Sequence, residues 1–593
     1  MSPTPLRVRR LAKISLLLPA GLAMTCMLGG CYRSFSQIDD RVAALLDDST
    51  GDVAGDAVPA PQGWADQTLS NGTLDAPEPP TYNPPGSSFE FASSSTDDLT
   101  VVIERLQALQ AENSESPVMT LAQALDWATQ HGREYQYAEE SYVIECLQLL
   151  KERHLWGPRF FDTVGFDVNG AGNAGLYTTS MNIVNEFTVT QRLPYGGEIS
   201  AQYLASFAKT LHDSVNDGSL DSLSSGTIVL GAEIPLLRNA GPIAQENLIQ
   251  AERDLTYAAR SFEDFRRRYF FEIVSDYLDL LVQRQSIAIG QSSVLLSKQV
   301  AVREQALYQA GRRKLSEAAL AENQALQEQS SQAKRWEAYR LSLDLFKVKI
   351  NWPIEEDLRI HHVAFAIDPP NVSMTEAISS GLARRLDLQT LRDKVVDRER
   401  QLRNARNQLL PDLGIVSSVA IPSELDEEGN SSFVPEFEDT DFNVGINLGI
   451  PLDREIEKLQ VREVQVLLER ERLQLSQEFD TAAVEIRTSV RDIDANLFDL
   501  DIQKRNVEIA ALAVESNNAD TDAVTVLDQL TAIQNLQRAE DGRARAFRNL
   551  QISILQYLLT SGQLRIRADG MMETLPGMKM KPTEDLSYGE PPA

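Results

Sequence analysis

The chain has 593 residues, a formal net charge of -30, 42% hydrophobic residues and 24% charged residues. Such a composition excludes disorder throughout and a polytopic helical membrane protein. The negative charge repels phosphates, which excludes nucleic acid as a partner.

Arg7, Arg9, Arg10 and Lys13 precede an apolar run from Ile14 to Leu28. The run is about 15 residues long, the length of a signal peptide and short of the ~18 needed to cross a bilayer. It closes on Leu28-Gly29-Gly30-Cys31, which resembles a bacterial lipobox, so residues 1–31 read as a lipoprotein signal peptide with Cys31 as the lipidated residue, carrying acyl chains such as palmitate. The alternatives are an uncleaved anchor and ordinary cleavage after Ala23. Cys31 and Cys146 are the cysteines of the mature chain in this reading, which leaves no disulfide framework. Cys146 reads as a small packed side chain in a helical stretch. The histidines, His131, His154, His212, His361 and His362, lack zinc-site spacing. No metal, cofactor or catalytic set of nucleophile, base and orienting group can be assembled, so no enzyme is expected.

Residues 32–95 are rich in Pro, Ser and Asp and read as an extended tether. Two copies of one plan follow, residues 96–353 and 371–567, joined by a connector at 354–370 and trailed by a flexible tail at 568–593. Laying Leu121 to Gln136 on Met374 to Gln389 without gaps sets Ala124 on Ala377, and continuing in register sets Arg153 on Arg406 and Pro158 on Pro411. Each copy is expected to open with a helix of about 35 residues ending at that proline.

Alternating apolar and polar residues mark strands at about 163–171, 184–193, 197–207 and 226–235 in the first copy, and at about 412–421 and 441–450 in the second. The segment DFNVGINLGI is the plainest case, with Phe442, Val444, Ile446, Leu448 and Ile450 alternating with Asn443, Gly445, Asn447 and Gly449. The Pro194-Tyr195-Gly196-Gly197 turn gives the first copy a hairpin that the second lacks. A Pro-Leu pair, Pro235-Leu236 and Pro451-Leu452, then starts a proline-free stretch in each copy, from Ile243 to Trp352 and from Leu452 to Leu575. Each stretch accommodates an antiparallel helical hairpin whose longer arm is roughly 65 residues, or about 100 Å. Rods of that length have little core of their own and must meet other helices along their length, as in a coiled coil or a closed cylinder.

Strands with one apolar and one small or polar face suit the wall of an outer-membrane barrel. Six such segments are too few to close a wide barrel alone, whereas several copies of the chain could close one. The fold class is therefore mainly α with transmembrane β: long helical hairpins leaving the barrel together as a tunnel, a few strands per chain in a shared barrel, and an internal twofold repeat. A lipid-anchored structural coiled-coil protein is the alternative, and it leaves the alternating segments without a role.

Over about residues 117–567 the chain resembles the TolC family of outer-membrane efflux channels. The duplicated helix, the hairpin and the Pro-Leu starts carry the resemblance, together with two helical turns. Leu307-Tyr308-Gln309-Ala310-Gly311, followed by Leu315, is similar to the family's tyrosine-x-x-glycine turn. Val524-Thr525-Val526-Leu527-Asp528 is similar to its valine-aspartate-valine-leucine-aspartate segment, with Gln534 in the helix beyond. The resemblance implies a homotrimer in the outer-membrane lipid, with a twelve-stranded barrel at four strands per chain. It also implies docking through a periplasmic adaptor, or membrane-fusion, protein to an inner-membrane pump of RND or ABC type, in drug efflux or type I secretion. Tyr308, Gly311, Leu315, Val524 and Leu527 then stand at the adaptor-docking tips, and Asp528, Asp520, Asp522 and Thr525 at the periplasmic gate. Thr525 replaces the first aspartate of the motif, and Asn517-Asn518-Ala519 replaces the usual glycine. The additional hairpin leaves the strand count open between extracellular loop and barrel wall.

Overall fold

The computed structural model describes residues 35–54, 116–173, 176–213, 222–361, 365–423, 433, 435, 437–519, 524–567, 570–573 and 580–582. Cys31, Asp520 and Asp522 lie outside the described residues.

The two copies begin in the same way. Helices α2 (Leu121–His131) and α3 (Arg133–Leu155) open the first, and α6 (Met374–Arg384) and α7 (Leu386–Asn407) open the second. Thr120 caps α2 by accepting from the Gln123 N–H, and Ser373 caps α6 by accepting from the Glu376 N–H, each supplying one of the acceptors a helix start requires. The single helix expected in each copy is in fact two. It breaks at Gly132 and at Arg385, which share the extended conformation φ -65°, ψ 123°.

Strands β2 (Arg159–Asn173), β3 (Leu176–Arg192), β4 (Glu198–Asp213) and β5 (Ser222–Pro235) follow in the first copy, and β8 (Asp412–Pro422) and β9 (Asp441–Gly449) in the second. They form one antiparallel sheet in the order β2-β3-β4-β5-β8-β9. The strands expected near 184 and 197 are thus members of the same sheet as the others.

Each sheet half leads into a long helical hairpin, α4 (Glu246–Gln309) with α5 (Leu315–Ile350), and α8 (Glu455–Ala519) with α9 (Val526–Thr560). At 64 and 65 residues the longer arms extend about 95 Å each. Gly290 does not interrupt α4, and it is buried where the Gln332 and Arg335 side chains of α5 leave no room for a Cβ. Residues 517–519, expected in the turn, form the last residues of α8.

The helices lie side by side in a wall. In its sheet-proximal half the neighbours run α3, α4, α7, α8, and in the distal half α5, α4, α9, α8. A core of Tyr277, Leu281, Phe346, Ile486, Ile554 and Leu555 joins the two copies at mid-length. The buried Glu263 pairs with Arg266 at 2.9 Å and with Arg267 at 2.8 Å, and Arg266 donates to the Arg567 carbonyl at 3.0 Å, tying α4 to the end of the second copy.

Two stretches differ from expectation. Within the proposed tether, Phe35–Ala54 is a helix, α1. Ile38, Val42, Leu45 and Leu46 recur at helical spacing, and Val42 and Leu46 are buried against Tyr142, Cys146, Leu149 and Phe262. Within the proposed flexible tail, β10 (Met580–Pro582) pairs antiparallel with β7 (Phe365–Ile367) in the connector. The connector's other strand, β6 (Arg359–Ile360), lies parallel to β1 (Val118–Met119). Among the described residues no helix is long and apolar enough to cross a membrane.

Candidate functional site

The sheet's register sorts its residues into two faces, because residues directly opposite one another point the same way and alternate along each strand. One row across all six strands is Phe160, Val189, Ala201, Leu230, Val419 and Phe442. Two residues further toward the helices the same face carries Gln191, Ile199, Ala232, Ser417 and Val444, then Ile234, Ile415 and Ile446. The adjacent row, on the opposite face, is Arg159, Thr190, Ser200, Gly231, Ser418 and Asn443. Most of the charge lies on that second face, whereas the first holds Asp162, which accepts from Asn185 at 2.8 Å. Gln202 donates to Glu186 at 2.5 Å, and Arg159 approaches Glu198 at 3.9 Å. One wall can therefore face hydrocarbon on one side and water on the other. Phe433 lies over the apolar face, where its carbonyl accepts from the Tyr203 hydroxyl at 2.9 Å.

The free edges of the wall are apolar along its length. β2 and β9 end the sheet. On the side of β2, Tyr137 of α3 and Leu341, Leu345 and Val348 of α5 are exposed. On the side of β9, exposed apolar residues run down α8 at Leu459, Val466, Leu473, Phe498 and Ile509. Those from Leu459 to Leu473 recur every seventh residue, the spacing of a helix-packing seam.

The distal tips come next. At the α4–α5 turn, Gly311 has φ +73°, its N–H donates to the Tyr308 carbonyl and the Arg312 N–H to the Leu307 carbonyl, both at 2.9 Å. This is a Schellman turn, whose left-handed position favours glycine over any residue with a Cβ. Tyr308 and Leu315 are exposed beside it. At the second tip Thr525 is the N-cap of α9: its hydroxyl accepts the Asp528 N–H at 3.2 Å and donates to the Asp528 carboxylate at 2.6 Å. Asn517 donates to the Asp528 carbonyl at 3.3 Å, so α8 reaches across to the start of α9. Leu527 is exposed and Val524 half-buried. Val526, Leu530 and Ile533 pack with Val300 of α4 and Ala321 of α5, which brings both tips to one end of the molecule.

Sequence reasoning missed the polar support behind these tips. The buried Glu304 carboxylate lies 3.2 Å from Arg303 and 3.7 Å from Arg313, and Arg303 also donates to Gln529. These residues are distributed over α4, the Schellman turn and α9, and no local pattern links them. Gln534 donates to Glu328 of α5 at 3.4 Å.

No protein-family model and no curated protein sequence matches the chain. Solved structures do. The outer-membrane channel CmeC of Campylobacter jejuni aligns with a TM-score of 0.55 at 13% identity, over 77% of this chain and 91% of that one. The outer-membrane protein VceC of Vibrio cholerae aligns at 0.56 and 12%, over 74% and 96%. The outer-membrane channel OprN aligns at 0.55 and 13%, over 75% and 90%. Two copies of a helix-strand-hairpin plan side by side, with one mainly apolar and one polar sheet face, give this chain the fold of the TolC family of outer-membrane channels.

Proposed function

We propose that the chain is the outer-membrane channel of a tripartite export system: a passive exit duct that assembles as a homotrimer and catalyses no reaction. The observation that carries this reading is the pair of unsatisfied edges. Among the described residues β2 and β9 each pair on one side only, leaving rows of N–H and C=O groups unpaired, which hydrocarbon does not tolerate. The helices continuing from those strands carry exposed apolar residues along the same two edges. A ring of copies satisfies both demands, each copy's β9 and α8 meeting the next copy's β2, α3 and α5. Cys31, as the lipidated residue, would add a second hold on the outer membrane.

The tips supply the contact to the rest of the system. Tyr308, Gly311, Leu315, Val524 and Leu527 would dock a periplasmic adaptor, and the adaptor an inner-membrane pump of RND or ABC type. Drug efflux and type I secretion use the same duct, and the pump chooses the cargo. Asp528 and Thr525, joined by Asp520 and Asp522, would form the periplasmic gate.

Native mass spectrometry of the detergent-extracted protein tests the assembly and is expected to give three times the chain mass. Planar-bilayer recordings should then show discrete channel openings. A monodisperse monomer that stays soluble without detergent once the lipid is removed overturns the proposal and favours the lipid-anchored coiled-coil alternative.

A further inference from the structure

We infer that all six strands of each chain are barrel wall, so that the trimer closes an eighteen-stranded barrel rather than the twelve-stranded one that four strands per chain would give. This inference rests on the trimeric channel reading above and adds the size of its pore.

The β3–β4 hairpin is continuous with the rest of the sheet. β3 pairs with β2 from Arg159↔Thr190 to Asn173↔Leu176, and β4 pairs with β5 from Glu198↔Glu233 to Lys209↔Ser222. Its two faces match those of its neighbours: Val189 and Ala201 continue the apolar row of Phe160 and Leu230, while Thr190 and Ser200 continue the polar row of Arg159 and Gly231. An extracellular loop has no reason to keep that alternation in register with the wall on both sides.

The direction of the hairpin is equally informative. Its turn lies at the helical end of the sheet. The Leu193 N–H donates to the Gly197 carbonyl at 3.0 Å, with Gly196 and Gly197 at φ +101° and +87°. The turn is held against the start of α4: Gln245 donates to the Pro194 carbonyl at 2.9 Å and the Gly241 N–H to the Tyr195 carbonyl at 2.8 Å. A hairpin pinned at the periplasmic end crosses the same span as its neighbours, whereas an extracellular excursion turns at the other end.

Closure and size agree. Six strands alternate in direction, so β9 of one copy arrives antiparallel to β2 of the next. With strands ~4.8 Å apart and tilted ~40°, eighteen strands have a circumference of about 110 Å and twelve about 75 Å. Leaving aside α1, which packs on α3 and α4, the sheet-proximal and distal halves of the helical wall are each four helices wide per chain, and the twelve helices of a trimer at ~9 Å spacing give about 110 Å. Six strands per chain let the wall pass into the helical cylinder without tapering.

Single-particle imaging of the full-length trimer in lipid nanodiscs tests the count directly, and eighteen strands are expected. Single cysteines carrying an environment-sensitive fluorophore give a second measure. At Val189→Cys and Ala201→Cys, brominated lipid should quench to within about 1.5-fold of the Leu230→Cys reference, and Ser200→Cys should stay unquenched. Twelve strands, or quenching at Leu230→Cys with none at Val189→Cys and Ala201→Cys, overturns the inference and leaves the trimeric channel standing. A monomer with no quenching at Leu230→Cys removes the channel reading itself.

Discussion

Arg385 reaches across to the long helix α8 and pairs with Glu485, Nη1 to Oε2 at 2.5 Å, while its counterpart in the first copy, Gly132, lies beneath Tyr269 of α4. The two residues share one backbone conformation but are held by opposite means, a polar bridge in one and close packing in the other. A Cβ at Gly132 would run into the Tyr269 hydroxyl and the Ala128 carbonyl. Gly132→Ala should therefore cost about 1–3 kcal/mol through overpacking. Arg385→Ala removes its pairs with Glu485 and with Asp387, both carboxylates 45% exposed, and should cost about 1 kcal/mol. Chemical denaturation of the two variants measures the contrast, and equal costs would show that the two junctions are held alike.

That junction also marks how far the repeat could be read from the amino-acid sequence. The gapless alignment carried Arg153 onto Arg406 and Pro158 onto Pro411, and the strands after those prolines start at Arg159 and Asp412, the same spacing apart. Proline and period-two alternation are local signals, so the strand and hairpin order was legible. The break was legible in the first copy only, where Gly132 weakens a helix, because Arg385 sits between Arg384 and Leu386 with no helix-breaking chemistry. Helix α1 was hidden differently: Val42 and Leu46 have helical spacing, but the proline-rich composition that follows dominated the segment. The tips were legible through Gly311 and Asp528, whereas Glu304, Arg303 and Gln529 meet only once the hairpins are folded.

Glu139 on α3 should make stability depend on pH. Burial lifts its carboxyl to about 7, against the opposing pull of the Arg266 guanidinium, with Glu140 adding to the rise. A carboxyl that holds its proton more tightly folded than unfolded penalises the folded state once it ionises. The penalty is absent below pH 4.5, grows as pH rises and is complete above about pH 7. Glu139→Gln removes the ionisation, so the variant should melt several degrees above wild type at pH 8 and together with it at pH 4. Melting curves that stay parallel across that range would place the carboxylate in water.

Cys31 is expected to be the first residue of the mature protein and to carry lipid. Mass spectrometry of the purified amino-terminal peptide should find an acylated cysteine, and Cys31→Ser should abolish the modification and block release of the signal. An unmodified mature chain beginning near Met24 would instead assign the leader to ordinary cleavage. Cys146 is no competitor for modification. It is buried between α1, α3 and α4, its thiol pushed up to about 11 by that burial, which leaves little reactive thiolate at neutral pH.

Asp528 can be explained in two ways, and they predict different channels. As a residue of the first turn of α9 it meets the positive end of the helix dipole, and its bonds with Thr525 complete the cap. As one of three copies around a trimer axis, the same exposed carboxylate would help form a ring of negative charge at the distal constriction, where it draws in cations and binds multivalent ones. Asp528→Asn separates these roles, since the amide keeps the side chain's size and its oxygen can still accept from Thr525 while the charge is lost. If the ring exists, the cation-to-anion permeability ratio should fall by about twofold or more, and block by a trivalent cation from the periplasmic side should weaken, with the trimer intact. Thr525→Ala provides the complementary measurement. It removes the cap but keeps the charge, at a typical cost of about 1 kcal/mol, so amide exchange in the first turn of α9 should quicken while selectivity changes less than in Asp528→Asn. Should Asp528→Asn leave both permeability and block unchanged in an assembled trimer, the carboxylate serves the helix cap alone and the gate charge must lie elsewhere in the distal turn.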